Sequence, residues 1–115
     1  MWQDELSGGI GDDLIYGLED DDLIEGGYGD DKLFGDKGDD TIFAYDLTNL
    51  AMGNGNYGTN LLSGGTGNDK LYGNMGGDVL FGGPGHDLLY GGFGDTPAVP
   101  QLYGGDGDDE IVASF

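Results

Sequence analysis

The chain contains no cysteine and no arginine, and has only three lysines, three prolines and one histidine among its 115 residues. Without cysteine it can build neither a disulfide framework nor a thiolate metal site. Scarce cations exclude nucleic acid and anionic membrane surfaces as natural partners, because the dominant Coulomb term would be repulsive. No apolar run is long enough to cross a bilayer, so membrane insertion is not expected. The segment Met1-Trp2-Gln3-Asp4-Glu5 has neither a basic region nor an apolar stretch and does not read as a Sec signal peptide. If the protein is exported, another route must carry it.

Glycine and acid are what the chain has in excess: 27 glycines, and 23 Asp and Glu residues that bring the formal charge to −20. The glycine lacks a collagen-like three-residue period and is interleaved with Asp and regularly spaced aliphatic residues. A chain this acidic is ordinarily disordered. The exception is one whose carboxylates converge on multivalent cations, and spacing decides between the two.

The spacing is that of a nonapeptide. Units begin at Gly8 (GGIGDDLIY), Gly17 (GLEDDDLIE), Gly26 (GGYGDDKLF) and Gly35 (GDKGDDTIF), then resume at Gly55, Gly64, Gly73, Gly82, Gly91 and Gly104. The eighth position is always aliphatic: Ile15, Ile24, Leu33, Ile42, Leu62, Leu71, Leu80, Leu89, Leu102 and Ile111. The sixth is Asp13, Asp22, Asp31, Asp40, Asn60, Asp69, Asp78, Asp87 and Asp109, and is lost only in the lengthened unit at Gly91. Glycines at positions one, two and four permit the positive φ and close backbone approach of a tight turn. Positions seven to nine form three extended residues, with the eighth facing opposite to its neighbours. One aliphatic side chain per nine residues cannot offset the entropy of ordering them, so the units must stack into a solenoid with counterions in fixed places.

The pattern GGxGxDxUx, with U a large aliphatic, resembles the RTX repeat, the hemolysin-type calcium-binding nonapeptide, over residues 8–112. The resemblance implies an all-β, right-handed parallel β-roll with two nonapeptides per coil, about five coils, and several Ca2+ ions between stacked turns. It implies as ligands the position-six side chains Asp13, Asp22, Asp31, Asp40, Asn60, Asp69, Asp78, Asp87 and Asp109. Backbone carbonyls of the turn glycines complete the set: Gly9, Gly11, Gly27, Gly29, Gly65, Gly67, Gly83, Gly85, Gly105 and Gly107. It also implies a secreted, extracellular or cell-surface protein exported by type I secretion, which folds on meeting calcium. Residues 1–7 then read as a lead-in and 113–115 as a tail.

In such a roll, turns on one edge come from alternate units. Counting the irregular stretch 44–54 as one unit predicts an edge pairing Asp13 with Asp31, Asp69 with Asp87, and Asp87 with Asp109. The other edge pairs Asp22 with Asp40 and puts Asn60 between Asp40 and Asp78. The stretch 44–54 should interrupt the calcium row on its edge, giving two calcium-binding blocks, 8–43 and 64–112, around a weaker middle. Residues 96–101, with two prolines, should form a surface loop. In the unit at Gly17, Leu18 and Asp20 replace glycines, so its turn is either distorted or supplied with an extra carboxylate.

Other signals carry less. Gly53-Asn54-Gly55-Asn56-Tyr57-Gly58 matches a dinucleotide-binding fingerprint, but no helix-forming run follows it. His86 alone makes neither a triad nor a zinc site and reads as an exposed turn residue. The position-five acids Asp12, Asp30, Asp39 and Asp108 read as solvated charge, and no catalytic motif is visible. The position-nine aromatics Tyr16, Phe34, Phe43, Tyr72, Phe81, Tyr90 and Tyr103 should stack as outward ladders. Those ladders could also serve self-association or contact with a polysaccharide. A fibre-forming or adhesin-like surface component, and an accessory module of a secreted protease, lipase or alginate epimerase, remain the alternative functions. The short apolar tails, including Trp2 and Phe115, could cap the roll.

Overall fold

The computed structural model describes residues 3–45, 58–74, 77–92 and 100–112. Most of the irregular stretch 44–54, the glycine fingerprint up to Tyr57, the loop at 96–99, and the caps at Trp2 and 113–115 lie outside the described residues. In each unit the turn glycines take φ values that a side chain resists, as at Gly9 (φ 90°) and Gly11 (φ 111°), and a short strand follows. The result is eleven strands and, among the described residues, no helix: β1 (Glu5–Ile10), β2 (Leu14–Tyr16), β3 (Leu23–Tyr28), β4 (Lys32–Phe34), β5 (Thr41–Phe43), β6 (Leu61–Ser63), β7 (Lys70–Tyr72), β8 (Val79–Phe81), β9 (Leu88–Tyr90), β10 (Gln101–Tyr103) and β11 (Glu110–Val112).

Alternate strands stack in parallel. The odd strands form one sheet, β1-β3-β5-β7-β9-β11, and the even strands the other, β10-β8-β6-β4-β2. Each coil of this β-solenoid contributes one strand to each sheet. The register aligns every eighth position with the next: Leu6, Ile24, Ile42, Leu71, Leu89 and Ile111 in the odd sheet. In the even sheet the column is Ile15, Leu33, Leu62, Leu80 and Leu102. The two columns face each other as the core. Ile24, Leu33, Ile42, Leu62, Leu71, Leu80 and Leu89 are fully buried, with Leu6, Ile15 and Leu102 packed against them. Burial of each aliphatic side chain contributes about 1.5–3 kcal/mol, less where an end leaves it part-exposed.

Three expectations change. The stretch after Phe43 does not count as a unit: β6 pairs with β4 and β7 with β5, so eleven residues are inserted within one turn. Neighbours across it are 29 residues apart where others are 18 apart, or 22 across the lengthened unit, yet the stack continues without a gap. Gln101 belongs to β10, paired with Val79, and not to a surface loop. The Gly17 turn is not distorted either. Leu18 (φ 80°) and Asp20 (φ 81°) adopt the glycine conformation despite their side chains, and Asp36 does the same (φ 74°). Stacking on the neighbouring turn, where the Lys37 N–H donates to the Leu18 carbonyl at 2.8 Å, holds that strained backbone in place.

The position-nine rings do stack. Phe43, Tyr72 and Tyr90 form a ladder on the odd sheet, with centroids 4.7 and 5.1 Å apart. On the even sheet Tyr16 stacks on Phe34 and Phe81 on Tyr103, both at 5.0 Å, and Ser63 separates the two pairs. Such offset pairs add about 0.5–1.5 kcal/mol each beyond the area they bury.

Candidate metal centre

The insertion decides which aspartates are neighbours. Turns that lead from the odd to the even sheet make the first edge, and those that return make the second. Along the first edge, position six runs Asp13, Asp31, Asn60, Asp78 and then Pro100, the residue before β10. Along the second it runs Asp4, Asp22, Asp40, Asp69, Asp87 and Asp109. The neighbours Asp13–Asp31, Asp22–Asp40, Asp69–Asp87 and Asp87–Asp109 are therefore as expected. Their edges are not: Asp69, Asp87 and Asp109 continue the Asp22–Asp40 row. Asp40 adjoins Asp69, and Asn60 lies between Asp31 and Asp78 instead of between Asp40 and Asp78. The insertion, the asparagine and the lengthened unit all fall on the first edge, which leaves the second an unbroken column of aspartates. The interruption of the aspartate row, expected at the inserted stretch, therefore falls on the first edge alone, at Asn60.

Asp4 joins this column, upstream of the first complete motif. Asp4-Glu5-Leu6-Ser7 supplies positions six to nine of a unit, with the Asp4 N–H donating to Asp22 Oδ1 at 3.0 Å. The signal was the D-x-U-x half of the repeat, which a search anchored on glycine passes over.

Most position-six residues are used in the same way. The N–H donates to Oδ1 of the aspartate one coil on, as from Asp22 to Asp40 at 2.9 Å and from Asp69 to Asp87 at 2.9 Å. The carbonyl accepts the N–H that opens the next coil's strand, as Asp40 does from Lys70 at 2.8 Å. The second carboxylate oxygen is left over. Oδ2 of Asp13, Asp22, Asp31, Asp40, Asp69 and Asp87 is buried with no hydrogen-bond partner.

These oxygens face the first glycine of their own turn, where a side chain would collide. A methyl group on Gly8 would lie 2.5 Å from Asp13 Oδ2 and 2.6 Å from the Gly26 carbonyl oxygen. On Gly82 it would lie 2.5 Å from Asp87 Oδ2 and 2.7 Å from the Gly104 carbonyl. The carbonyls of positions two and four also crowd the following turn, with Gly9 O against Gly27 and Gly11 O against Gly29. Stacked turns thus bring carboxylate and carbonyl oxygens together, without nitrogen or sulfur donors. A buried anionic oxygen costs several kcal/mol unless something compensates it. A hard divalent cation that takes six to eight oxygens, as calcium does, fits this donor set.

The electrostatics agree. Burial, reinforced by the neighbouring carboxylates, pushes Asp31 and Asp40 up to about 6 and Asp69 up to about 7. Burial raises Asp22 and Asp87 as well. These groups bind protons more tightly in the metal-free roll than in the unfolded chain, so protonation stabilises the roll. That stabilisation is complete below about pH 3.8 and is lost as pH rises through 6 to 7. In calcium-free buffer, far-UV circular dichroism is expected to show more β structure near pH 4 than at pH 8. The calcium midpoint should fall as pH rises through the same window, because cation and proton compete for the same oxygens.

Position five carries a second, outer ladder. The Asp30 N–H donates to Asp12 Oδ1 at 2.8 Å and the Asp39 N–H to Asp21 Oδ1 at 2.7 Å. The second edge continues it from Asn68 to Asp39, from His86 to Asn68, and from Asp108 to His86 Nδ1 at 3.1 Å. Asp12, Asp30 and Asp39 are thus acceptors that bind one coil to the next, and not merely solvated charge. His86 is exposed, as expected, and its Nδ1 accepts in this ladder.

Parallel β-solenoids whose acidic, glycine-rich turns stack oxygen upon oxygen form a class of repeat proteins suited to hold cations. A family model described as the RTX calcium-binding nonapeptide repeat matches this chain in four copies, over residues 7–42, 54–89, 72–95 and 101–115, and the chain belongs to that family. Neither a curated protein nor a solved structure matches it significantly.

Proposed function

We propose that this chain is a calcium-driven folding module, unfolded where calcium is scarce and folded in the millimolar calcium outside cells. The observation that supports it is the row of buried position-six carboxylate oxygens without partners. The ligands proposed are those oxygens together with the glycine carbonyls of positions one, two and four. Because the site exists only in the stacked state, ligation free energy is folding free energy. The family's usual setting supports export by type I secretion, with folding delayed until the chain is outside. Calorimetric titration of the metal-free chain should find several Ca2+ per chain, with magnesium far weaker because it demands a small octahedral cage and sheds water reluctantly. Absence of calcium binding at millimolar concentration would sink the reading.

A contact role is the second reading, and one face favours it. The outward residues of the even sheet are Leu14, Tyr16, Lys32, Phe34, Leu61, Ser63, Val79, Phe81, Gln101 and Tyr103, with no acid among them. The odd sheet carries Glu5, Glu25 and Glu110. On a chain of charge −20, an acid-free face with Leu14 58% and Tyr16 51% exposed suits self-association or an uncharged polysaccharide. Sedimentation of the calcium-loaded chain at rising concentration separates the readings: a monomer throughout removes self-association. Catalysis, if the protein has any, would reside in a domain that this module accompanies.

A further inference from the structure

We infer that Asn60, Asn74 and Asp78 form a metal-free lock, a joint on the first edge in which hydrogen bonds replace calcium. The inference rests on the calcium reading above and limits where it applies. Asp78 occupies position six and is fully buried, like the aspartates expected to bind metal. Its oxygens, however, are taken. Oδ1 accepts from the Asn60 N–H at 2.7 Å and from the Asn60 side-chain Nδ2 at 3.0 Å. Oδ2, the atom left without a partner in six other turns, accepts from the Asn74 N–H at 2.6 Å.

The local backbone explains the difference. In the complete glycine turns, position two has positive φ, as at Gly9 or Gly83. Asn74 holds position two here without positive φ, and among the described residues of this turn the left-handed one is Gly77 at position five (φ 82°). The Asn74 N–H is thereby turned onto the carboxylate. Three N–H donors now satisfy both oxygens of a single buried carboxylate, and they oppose the burial that raises its pKa.

The neighbours complete the case. A calcium in this family of gaps would draw on anionic side chains from adjoining turns, but Asp78 has Asn60 on one side and Pro100 on the other. Neither brings a charge. The Asn60 amide presents an N–H in place of the second carboxylate oxygen that an aspartate would offer, and an N–H repels a cation. Calcium on this edge is therefore confined to the stretch that includes Asp13 and Asp31. The second edge, from Asp22 to Asp109, carries the remainder. The roll is asymmetric: one edge depends on metal along its whole length, and the other is held by hydrogen bonds beyond Asn60.

The test compares isosteric variants of the full chain by calorimetry. Asp78→Asn is expected to keep the wild-type number of calcium ions, whereas Asp87→Asn loses calcium. Equal losses in the two variants overturn the lock. Should Asp78→Asn fail to fold, anomalous scattering from lanthanide-loaded crystals of the unaltered protein locates every ion directly. Peaks between second-edge turns with none in ligation distance of Asp78 support the inference, and a peak against Asp78 overturns it. If neither calcium nor lanthanide binds anywhere, it is the calcium reading that fails.

Discussion

In calcium-free buffer at neutral pH the chain is expected to lose its β structure and regain it cooperatively as calcium is added. The core by itself is too thin to prevent this. Among the described residues it is one aliphatic column per sheet, with Ala44 the one addition. Against that stand the conformational entropy of a glycine-rich chain and the self-repulsion of 20 net negative charges. The repulsion is concentrated, because the fold stacks aspartates one coil apart and buries them. Calcium reverses the sign of that contribution by supplying charge at the oxygens the fold leaves without partners. The measurement is far-UV circular dichroism against free calcium at pH 7 to 8. A chain that stays folded in excess chelator would refute the account. A gradual, non-cooperative response would contradict a continuous stack in which each site borders the next.

The second large effect concerns position along the row. Asp69 and Asp87 each lie between two aspartates of the second edge, whereas Asp13 has an aspartate neighbour on one side only. Asp69→Ala and Asp87→Ala should each disable two gaps, and Asp13→Ala one. A site that is saturated a hundredfold above its Kd contributes about 2.7 kcal/mol. The interior variants should therefore lose roughly twice what Asp13→Ala loses, on the order of 5 kcal/mol against 3. Denaturant unfolding in saturating calcium, together with calcium stoichiometry, measures both. Equal losses at Asp13 and Asp87 would contradict the arrangement of the rows.

Most of the fold was legible in the sequence because the repeat is short and each position has one physical task. An aliphatic residue at every eighth position had to face inward, and glycines at two and four had to reverse the chain. Leu18, Asp20 and Asp36 show where that reasoning was incomplete. Stacking imposes the glycine conformation on residues that would not choose it alone. The outer ladder through Asp12, Asp21, Asp39 and Asn68 was missed for a related reason. A surface aspartate looks solvated until the N–H of another coil is known to lie against it.

The residues by themselves determined the nine-residue register, the identity of the core and the presence of a carboxylate in nearly every turn. Those properties follow from periodicity within the chain. The tertiary structure alone decided which carboxylates are neighbours and which of them lack a partner. It absorbed the insertion after Phe43 into a turn, and so aligned Asp40 with Asp69 and Asp31 with Asn60. It also turned the Asn74 N–H onto Asp78 while leaving Asp87 Oδ2 without a partner. The reason is physical. A metal site in a solenoid lies between coils, so its composition depends on residues 18, 22 or 29 apart that only stacking brings together.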